Sequence, residues 1–417
     1  MMSLSGLIAL SFLGTAQAEE TEVPAFSYPE ARRGDVVDTY HGVEIADPYR
    51  WLEAPDSEET RTWVDGQVAL TTEFLSDIPA RAKIRTRLEE LWNYERFSAP
   101  SKKGSRYFFR HNNGLQDHSV LYTADSLSGA AQPVLDPNTL SEDGTIAVRM
   151  TSLSEDGSLL AYGLSDGGSD WQTVYIRDVL SGRDLSDTLK WVKFSGASWT
   201  HDNNGFFYSR YPEPENKLES VNEHQKLYFH QIGTPQDQDR LIFENPENPK
   251  MGYGGYINEA GTTLYIYGWQ GTDDRNTLYA LDLTNPEAEV VKLFDEMDAS
   301  YSVIHDAVIT DDRGWLARLF GPPQQPDQHL LWIETNKDAP KGKVVMIDAD
   351  APQEARWIDV IPESEHVLRG VSMVGDHLVV TRLEDAKSMV KVYDNRGQHV
   401  RDVALPGIGT AYGFGGK

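Results

Sequence analysis

Apolar positions along the chain follow two different periods, and the change comes at Pro100. From Ser57 to Trp92 they recur at helical spacing. Trp63, Val64, Leu70, Phe74 and Leu75 give a first segment a broad apolar side, Asp56 or Ser57 can cap it, and Ile78-Pro79 ends it. In a second segment Ile84, Leu88, Leu91 and Trp92 fall at i, i+4, i+7 and i+8, while Arg81, Lys83, Arg85 and Arg87 point elsewhere. The pattern predicts two amphipathic helices, which need a body to lie on.

Beyond Pro100 the period becomes 2 and stays there almost to the end. A unit recurs: a polar turn with Gly, a short hydrophobic strand, a second turn, and another alternating strand. Lys103-Gly104 precedes YFFRHN and SVLYTAD; Glu155-Asp156-Gly157 precedes LLAYGL and TVYIRDV; Asn203-Asn204-Gly205 precedes FFYSRY and KLYFHQI. Further copies begin at Glu259-Ala260-Gly261, at Asp312-Arg313-Gly314 with WLARLF, and at Val374-Gly375-Asp376. The marker glycines are spaced 53, 48, 56, 53 and 61 residues apart. A period of about 50 residues fits one four-stranded propeller blade, whose sheet buries both faces only by stacking against neighbours. Sandwiches lack such a recurrence and β-helix rungs are much shorter. The fold class expected is mainly β: a β-propeller with about six blades plus a fragment, behind an N-terminal helical segment. From Pro406, GIGTAYGFGGK reads as the opening strand of a seventh unit: either six blades close the ring and this tail is ragged, or the propeller is incomplete at its C-terminus, the reading preferred.

Composition narrows the partners. A formal net charge of -27 disfavours nucleic acid and anionic lipid, both of which are held by surplus Lys and Arg. The absence of Cys excludes disulfides, thiolate metal sites and a Cys nucleophile. At the N-terminus the apolar run Leu4 to Leu13, followed by Ala16-Gln17-Ala18 before Glu19, has the form of a secretory signal peptide. No later stretch approaches the roughly 20 apolar residues needed to span a bilayer. The expected organisation is a signal peptide over 1–18, a helical segment over 19–98 and a propeller over 99–417, in a secreted or periplasmic protein.

Candidate chemistry is sparse. Gly163-Leu164-Ser165-Asp166-Gly167 satisfies the G-x-S-x-G string of a nucleophile elbow, but an elbow needs a helix after the serine, and WQTVYIRDV reads as a strand. The run is expected to be a hairpin turn, and Ser165 not a nucleophile. None of the His residues forms H-E-x-x-H, and His224 with His230 is not a ligand spacing, so no metal or other cofactor is expected. Asp273-Asp274 and Asp311-Asp312 offer paired carboxylates of the kind a glycosidase uses, but fit inter-strand turns better.

Asp47-Pro48-Tyr49-Arg50-Trp51-Leu52-Glu53 is not explained by propensity. Preceded by YHGVEIA and followed by two helices, it resembles the N-terminal segment of the prolyl oligopeptidases, a family of serine peptidases. GLQDHSVLY, LDPNTLSEDGTIAV, SEDGSLLAYGLSDGGSDW, KWVKFSGASWTHDNNGFFYSRYP and HQKLYF resemble the family's propeller in the same order, over roughly Tyr28 to Asp394. The resemblance implies a propeller of the seven-bladed type capping an α/β-hydrolase domain, on which the helical segment would pack. It places the Ser, Asp and His of catalysis after the propeller, so no catalytic residue carries over and the chain alone is expected to be inactive. It further implies short proline-containing peptides as substrate, cleaved after proline, the hydrolase domain as partner, and substrate-pocket positions at Ile176, Met251 and Thr272. The alternatives are a stand-alone propeller serving as a binding scaffold, and a propeller glycosidase with carboxylates clustered at the central tunnel.

Overall fold

The computed structural model describes residues 26–215, 220–309, 328–353 and 356–416. The leader expected over 1–18, the Asp311-Asp312 pair, and the fifth blade's Asp312-Arg313-Gly314 with WLARLF lie outside the described residues. Two units meet between Asn93 and Tyr94. This is slightly ahead of the boundary expected at 98/99, because Arg96–Phe97 already pairs with a strand of the first blade, Arg106–Asn112.

The N-terminal unit holds a hairpin of Val37–Tyr40 and Val43–Ala46, a 3-10 turn Arg50–Glu53, and helices α1 (Glu58–Ser76) and α2 (Arg81–Trp92). Ser57 caps α1, its hydroxyl accepting from the Thr60 backbone N–H at 3.2 Å, while Asp56 pairs with Arg61 at 2.7 Å. The DPYRWLE run folds on itself. Arg50 donates to Asp47 Oδ2 at 2.6 Å and also pairs with Asp38. The Trp51 indole N–H donates to the Arg32 carbonyl at 2.8 Å, and its ring meets Trp63 edge-on with centroids 6.4 Å apart. On α2, Ile84, Leu88, Leu91 and Trp92 are all exposed and no residue is buried, so the apolar stripe legible in the sequence faces solvent.

The second unit is six antiparallel sheets, each a meander in chain order. In blade 1, Arg96–Phe97 and Ser101–Lys103 both pair with Arg106–Asn112, followed by Val120–Ala124 and Gln132–Leu135. Blade 2 is Ala147–Leu153, Leu159–Ser165, Gln172–Asp178 and Asp184–Val192. Blade 3 is Ser198–Trp199, Gly205–Arg210, Lys226–Gln231 and Arg240–Phe243. Blade 4 is Met251–Ile257, Thr263–Gln270, Thr277–Asp282 and Val291–Phe294. Blade 5 begins at Tyr301 and ends at Ile361, and blade 6 runs from Val367 to Val403.

A separate apolar core lies between each successive pair of blades. Because side chains alternate across a strand, the second strand of blade 3 serves two of them. Phe206 and Tyr208 join Val174, Ile176 and Leu189 of blade 2, whereas Phe207 joins Met251, Tyr253 and Leu264 of blade 4. This two-sided burial explains strands that read as nearly continuous apolar runs, FFY and LYIY among them.

Gly104, Gly157, Gly261 and Gly375 sit in the turn between first and second strands. Gly104 has φ +56, and a side chain there would strike the Asp156 carbonyl of blade 2. In blade 3 the left-handed position is Asn203 (φ 58) instead, and Gly205 is glycine for another reason: a Cβ would run into the His230 carbonyl. The opening strand expected in GIGTAYGFGGK is not formed. Residues 407–416 have no strand, and they bond along blade 6 through Ser388 N–H to the Gly409 carbonyl at 2.9 Å, Ala411 N–H to Ser388 Oγ at 2.9 Å, and Ser372 Oγ to the Phe414 carbonyl. Ile408 and Tyr412 are left exposed. A strand needs a ladder partner, and here the segment is tied through side-chain hydroxyls and one isolated backbone bond instead.

Candidate functional site

A meander has two rims. Turns between strands one and two, and three and four, fall on one rim; turns between strands two and three, with the connectors to the next blade, fall on the other. The two rims of this propeller differ in chemistry.

On the first rim the ends of the inner strands of blades 1 to 4 enclose a cavity of about 620 Å³, whose lining includes Lys103, Glu155, Trp199, His201, Tyr256 and Glu259. Polar links tie neighbouring blades around it. Lys103 of blade 1 pairs with Glu155 of blade 2. The Glu155 backbone N–H donates to Asn203 Oδ1 of blade 3 at 2.9 Å, the Ile257 N–H of blade 4 donates to Ser198 Oγ of blade 3 at 3.0 Å, and Asn258 Nδ2 donates to Asp306 of blade 5 at 2.7 Å. Ser152 Oγ in this lining donates to the Ala197 carbonyl at 2.7 Å.

The opposite rim carries an aromatic shelf. Trp171, at the hairpin between the second and third strands of blade 2, meets Trp191 and Tyr211 edge-on, with centroids 6.0 and 5.9 Å away. Lys193 Nζ stands 4.9 Å from the Trp171 ring and 5.3 Å from Phe194, and donates to Asn222 Oδ1 at 3.2 Å. Burial pushes the Tyr211 phenol above its ordinary pKa. Trp191 and Phe194 both have left-handed backbone, φ 62 and 54, which is costly for bulky residues and is maintained only where the surroundings fix it. Phe194 is nevertheless 50% exposed. Gln225 clamps the connector, its amide donating to the Lys193 carbonyl at 2.8 Å while its oxygen accepts from the Tyr253 N–H at 2.7 Å. The shelf therefore presents a half-exposed ring face beside a lysine ammonium.

Of the three positions expected to line a pocket, Met251 and Thr272 lie at the same end of blade 4, where Met251 pairs with Gln270, and Ile176 lies in blade 2. Ile176 has 0% exposure and packs in the core between blades 2 and 3, in the middle of a third strand, where it meets side chains only. Met251 is 4% exposed, in the core between blades 3 and 4, at the start of an inner strand on the shelf's rim. Thr272 is exposed in the blade 4 hairpin on that rim. None of them lines the central cavity. Trp171, Lys193 and Phe194 were not singled out by the sequence reading. Two aromatics separated by Val and Lys, directly after a strand that should turn, were the available signal.

No catalytic constellation appears among the described residues. Ser165 is the last residue of a strand, is 1% exposed, and bonds the Ser169 carbonyl; another strand follows, as its turn reading required. No serine hydroxyl there hydrogen-bonds a histidine ring, and no cluster of His, Asp and Glu among the described residues suits a metal ion. Asp273 is held by Arg275, which brings its pKa down to about 2, the reverse of what a general acid needs.

Residues 28–417 match the family described as prolyl oligopeptidase, N-terminal beta-propeller domain. The prolyl endopeptidase of Elizabethkingia miricola is 36% identical over 412 residues, which are 98% of this chain and 55% of that protein. Prolyl oligopeptidase A of Amanita bisporigera is 31% identical over 438 residues, with 96% of this chain and 54% of that protein covered. A solved structure from a study of two prolyl endopeptidases superposes with a TM-score of 0.78 at 30% identity, over 92% of this chain and 54% of that one. Prolyl oligopeptidase B from Galerina marginata, bound to a 35mer hydrolysis and macrocyclization substrate, gives 0.75 at 28% identity, over 91% and 54%. The chain spans about half the length of the curated relatives it matches.

Proposed function

The chain belongs to the prolyl oligopeptidase family, through that family's N-terminal β-propeller domain, and on this premise we propose that it is the propeller and helical part of a peptidase acting on short proline-containing peptides. The observation that carries the reading is the shelf of Trp171, Trp191, Lys193 and Phe194, set on one rim with two strained aromatic backbones. A proline ring stacks well on aromatic faces, and the amides flanking it can bond the polar groups nearby. In this reading the cut is made by an α/β-hydrolase domain, which also covers the exposed Ile84, Leu88, Leu91 and Trp92 of α2. Thr272, exposed on the same rim, stands as the one of the three pocket candidates that a peptide can reach. Export follows from the leader-like sequence over 1–18, which N-terminal sequencing of the secreted product would show as a start at Glu19.

The test is a titration of the purified chain with a proline-containing hexapeptide and its alanine counterpart, followed by tryptophan indole NMR signals. The proline peptide shifts the Trp171 indole and the alanine peptide does so more weakly. Phe194→Ala weakens binding about tenfold. Equal binding of both peptides, or binding indifferent to Phe194, would favour a general scaffold over a peptidase part.

A further inference from the structure

Between blades 2 and 3 lies a buried group of ionisable side chains that peptide binding does not call for. His230, on the third strand of blade 3, has 0% exposure. Its Nδ1 is 2.7 Å from Asp239 Oδ1 and its Nε2 is 3.0 Å from Asp187 Oδ1, Asp187 belonging to the outermost strand of blade 2. The remaining oxygens decide the charge state. Asp239 Oδ2 accepts from the Tyr208 hydroxyl at 2.5 Å, and Asp187 Oδ1 also accepts from the Gly233 N–H at 2.5 Å. Only Asp187 Oδ2 is left, buried and with no hydrogen-bond partner to receive a proton placed there. A neutral imidazole has one N–H and one lone pair, so it would turn that lone pair toward a carboxylate oxygen at one of its two contacts. An imidazolium donates at both.

We propose that His230 is held as an imidazolium between Asp187 and Asp239, an ionic clasp across the blade 2–blade 3 junction that positions the connector carrying Trp191, Lys193 and Phe194. The path from clasp to connector is continuous. Tyr208 OH, bonded to Asp239, accepts from Gln236 Nε2 at 3.1 Å, and Gln236 bonds the Lys190 backbone twice, at 3.0 Å to its N–H and 3.0 Å to its carbonyl. Lys190 immediately precedes Trp191, where the backbone enters the left-handed region. Asp187 holds the same strand three residues earlier. Blade 2's outermost strand needs this second anchor, because its pairing with the neighbouring strand is broken by two irregularities.

The groups facing the imidazole are Asp187 from blade 2, Asp239 from the turn after Gln236–Gln238, Tyr208 from the second strand of blade 3, and the Phe206 ring at 5.5 Å. Arg210 acts on Tyr208 from farther along that strand and lies 4.3 Å over the Tyr228 ring. Burial alone pulls the His230 pKa down; the bonds and charges of Asp239 and then Asp187 outweigh it, and the net direction is upward. For a group raised on folding, the stabilisation is complete below the ordinary histidine value of about 6.5 and is lost as pH rises through the higher folded value. The clasp is therefore complete below about pH 6.5 and loosens as pH rises through the raised folded value. It acts on the shelf whatever ligand the shelf receives.

Two measurements on the full chain test this. In the wild type, selective ¹⁵N-histidine NMR reads the protonation of each ring nitrogen: His230 shows both protonated at about pH 6.5, where an ordinary histidine is half neutral, and Asp187→Asn lowers its titration midpoint. A His230 signal from a single neutral tautomer at that pH overturns the proposal without reference to any variant. Hydrogen exchange of residues 184–194, corrected for intrinsic rate, then reads the positioning. Exchange there accelerates in His230→Gln at about pH 7, and the difference from wild type closes as pH rises past the wild-type midpoint, while blade 6 is unchanged. A difference independent of pH, or one spread equally over all blades, marks His230 as ordinary packing and refutes the clasp.

Discussion

Replacing Ile176 by alanine distinguishes a packing residue from one that meets a ligand. Its side chain is fully buried in a core shared with Val174, Leu189, Trp199, Phe206 and Tyr208, so the substitution removes three carbons from a closed space. At about 0.8 kcal/mol per buried methylene the transfer loss is about 2.4 kcal/mol. A cavity contribution of about 1 kcal/mol is added, since a core flanked by two sheets and several rings collapses poorly around a missing branch, giving a total of about 3–4 kcal/mol. Urea unfolding followed by far-UV circular dichroism gives the stability change, and the proline-peptide titration on the protein that remains folded gives any change in affinity. Stability should fall by the stated amount and the urea midpoint with it, at an unchanged m-value, with peptide affinity changed less than about threefold. A loss below about 1 kcal/mol together with a tenfold loss of binding would show that Ile176 touches ligand, and that its core position has been misread.

Lys103→Met removes the link between blades 1 and 2 at the cavity; with both side chains partly solvated, the loss should be about 0.5–1 kcal/mol and should shrink in about 1 M salt, read by urea unfolding at two ionic strengths. Asp184 is bonded by Arg177 Nε at 2.7 Å and Nη2 at 3.0 Å; burial raises its pKa, and the Arg177 bonds outweigh burial and lower it. A lowered carboxylate stabilises the fold above its ordinary value of about 3.9 and ceases to do so as pH falls through the folded value, so the difference in thermal midpoint between wild type and Asp184→Asn should be full at about pH 6 and shrink progressively as pH falls below about 3.9.

The propeller was legible because its physics repeats. Each blade needs a tight turn and two-faced strands, so Gly104, Gly157, Gly261 and Gly375, with Asn203 just ahead of Gly205, mark the turns in the sequence. The two helices were legible for a similar reason, with Ser57 and Ile78-Pro79 marking start and break. Positions that depend on which face of a strand meets which neighbour were not. Ile176 and Leu189 look like any apolar strand residues in sequence, and only the stacking of blades shows that they close a core. The shelf was hidden because its signal is a backbone conformation: Trp191 and Phe194 carry left-handed φ, which sequence associates with Gly and Asn. The His230 clasp draws Asp187 from 43 residues away, across a blade boundary, and no spacing rule reaches that far. The tail misled for the opposite reason. GIGTAYGFGGK has strand-like alternation, but strand formation also depends on a partner, and residues 407–416 bond blade 6 through Ser372 and Ser388.

The central claim is that these residues recognise a peptide and leave its bonds intact. Purified chain incubated with a proline-containing chromogenic peptide should release no chromophore above the buffer rate, while the same preparation still shifts the Trp171 indole signal on binding. Steady release that disappears in Ser165→Ala would contradict the account, because it would require the buried hairpin serine to act as a nucleophile.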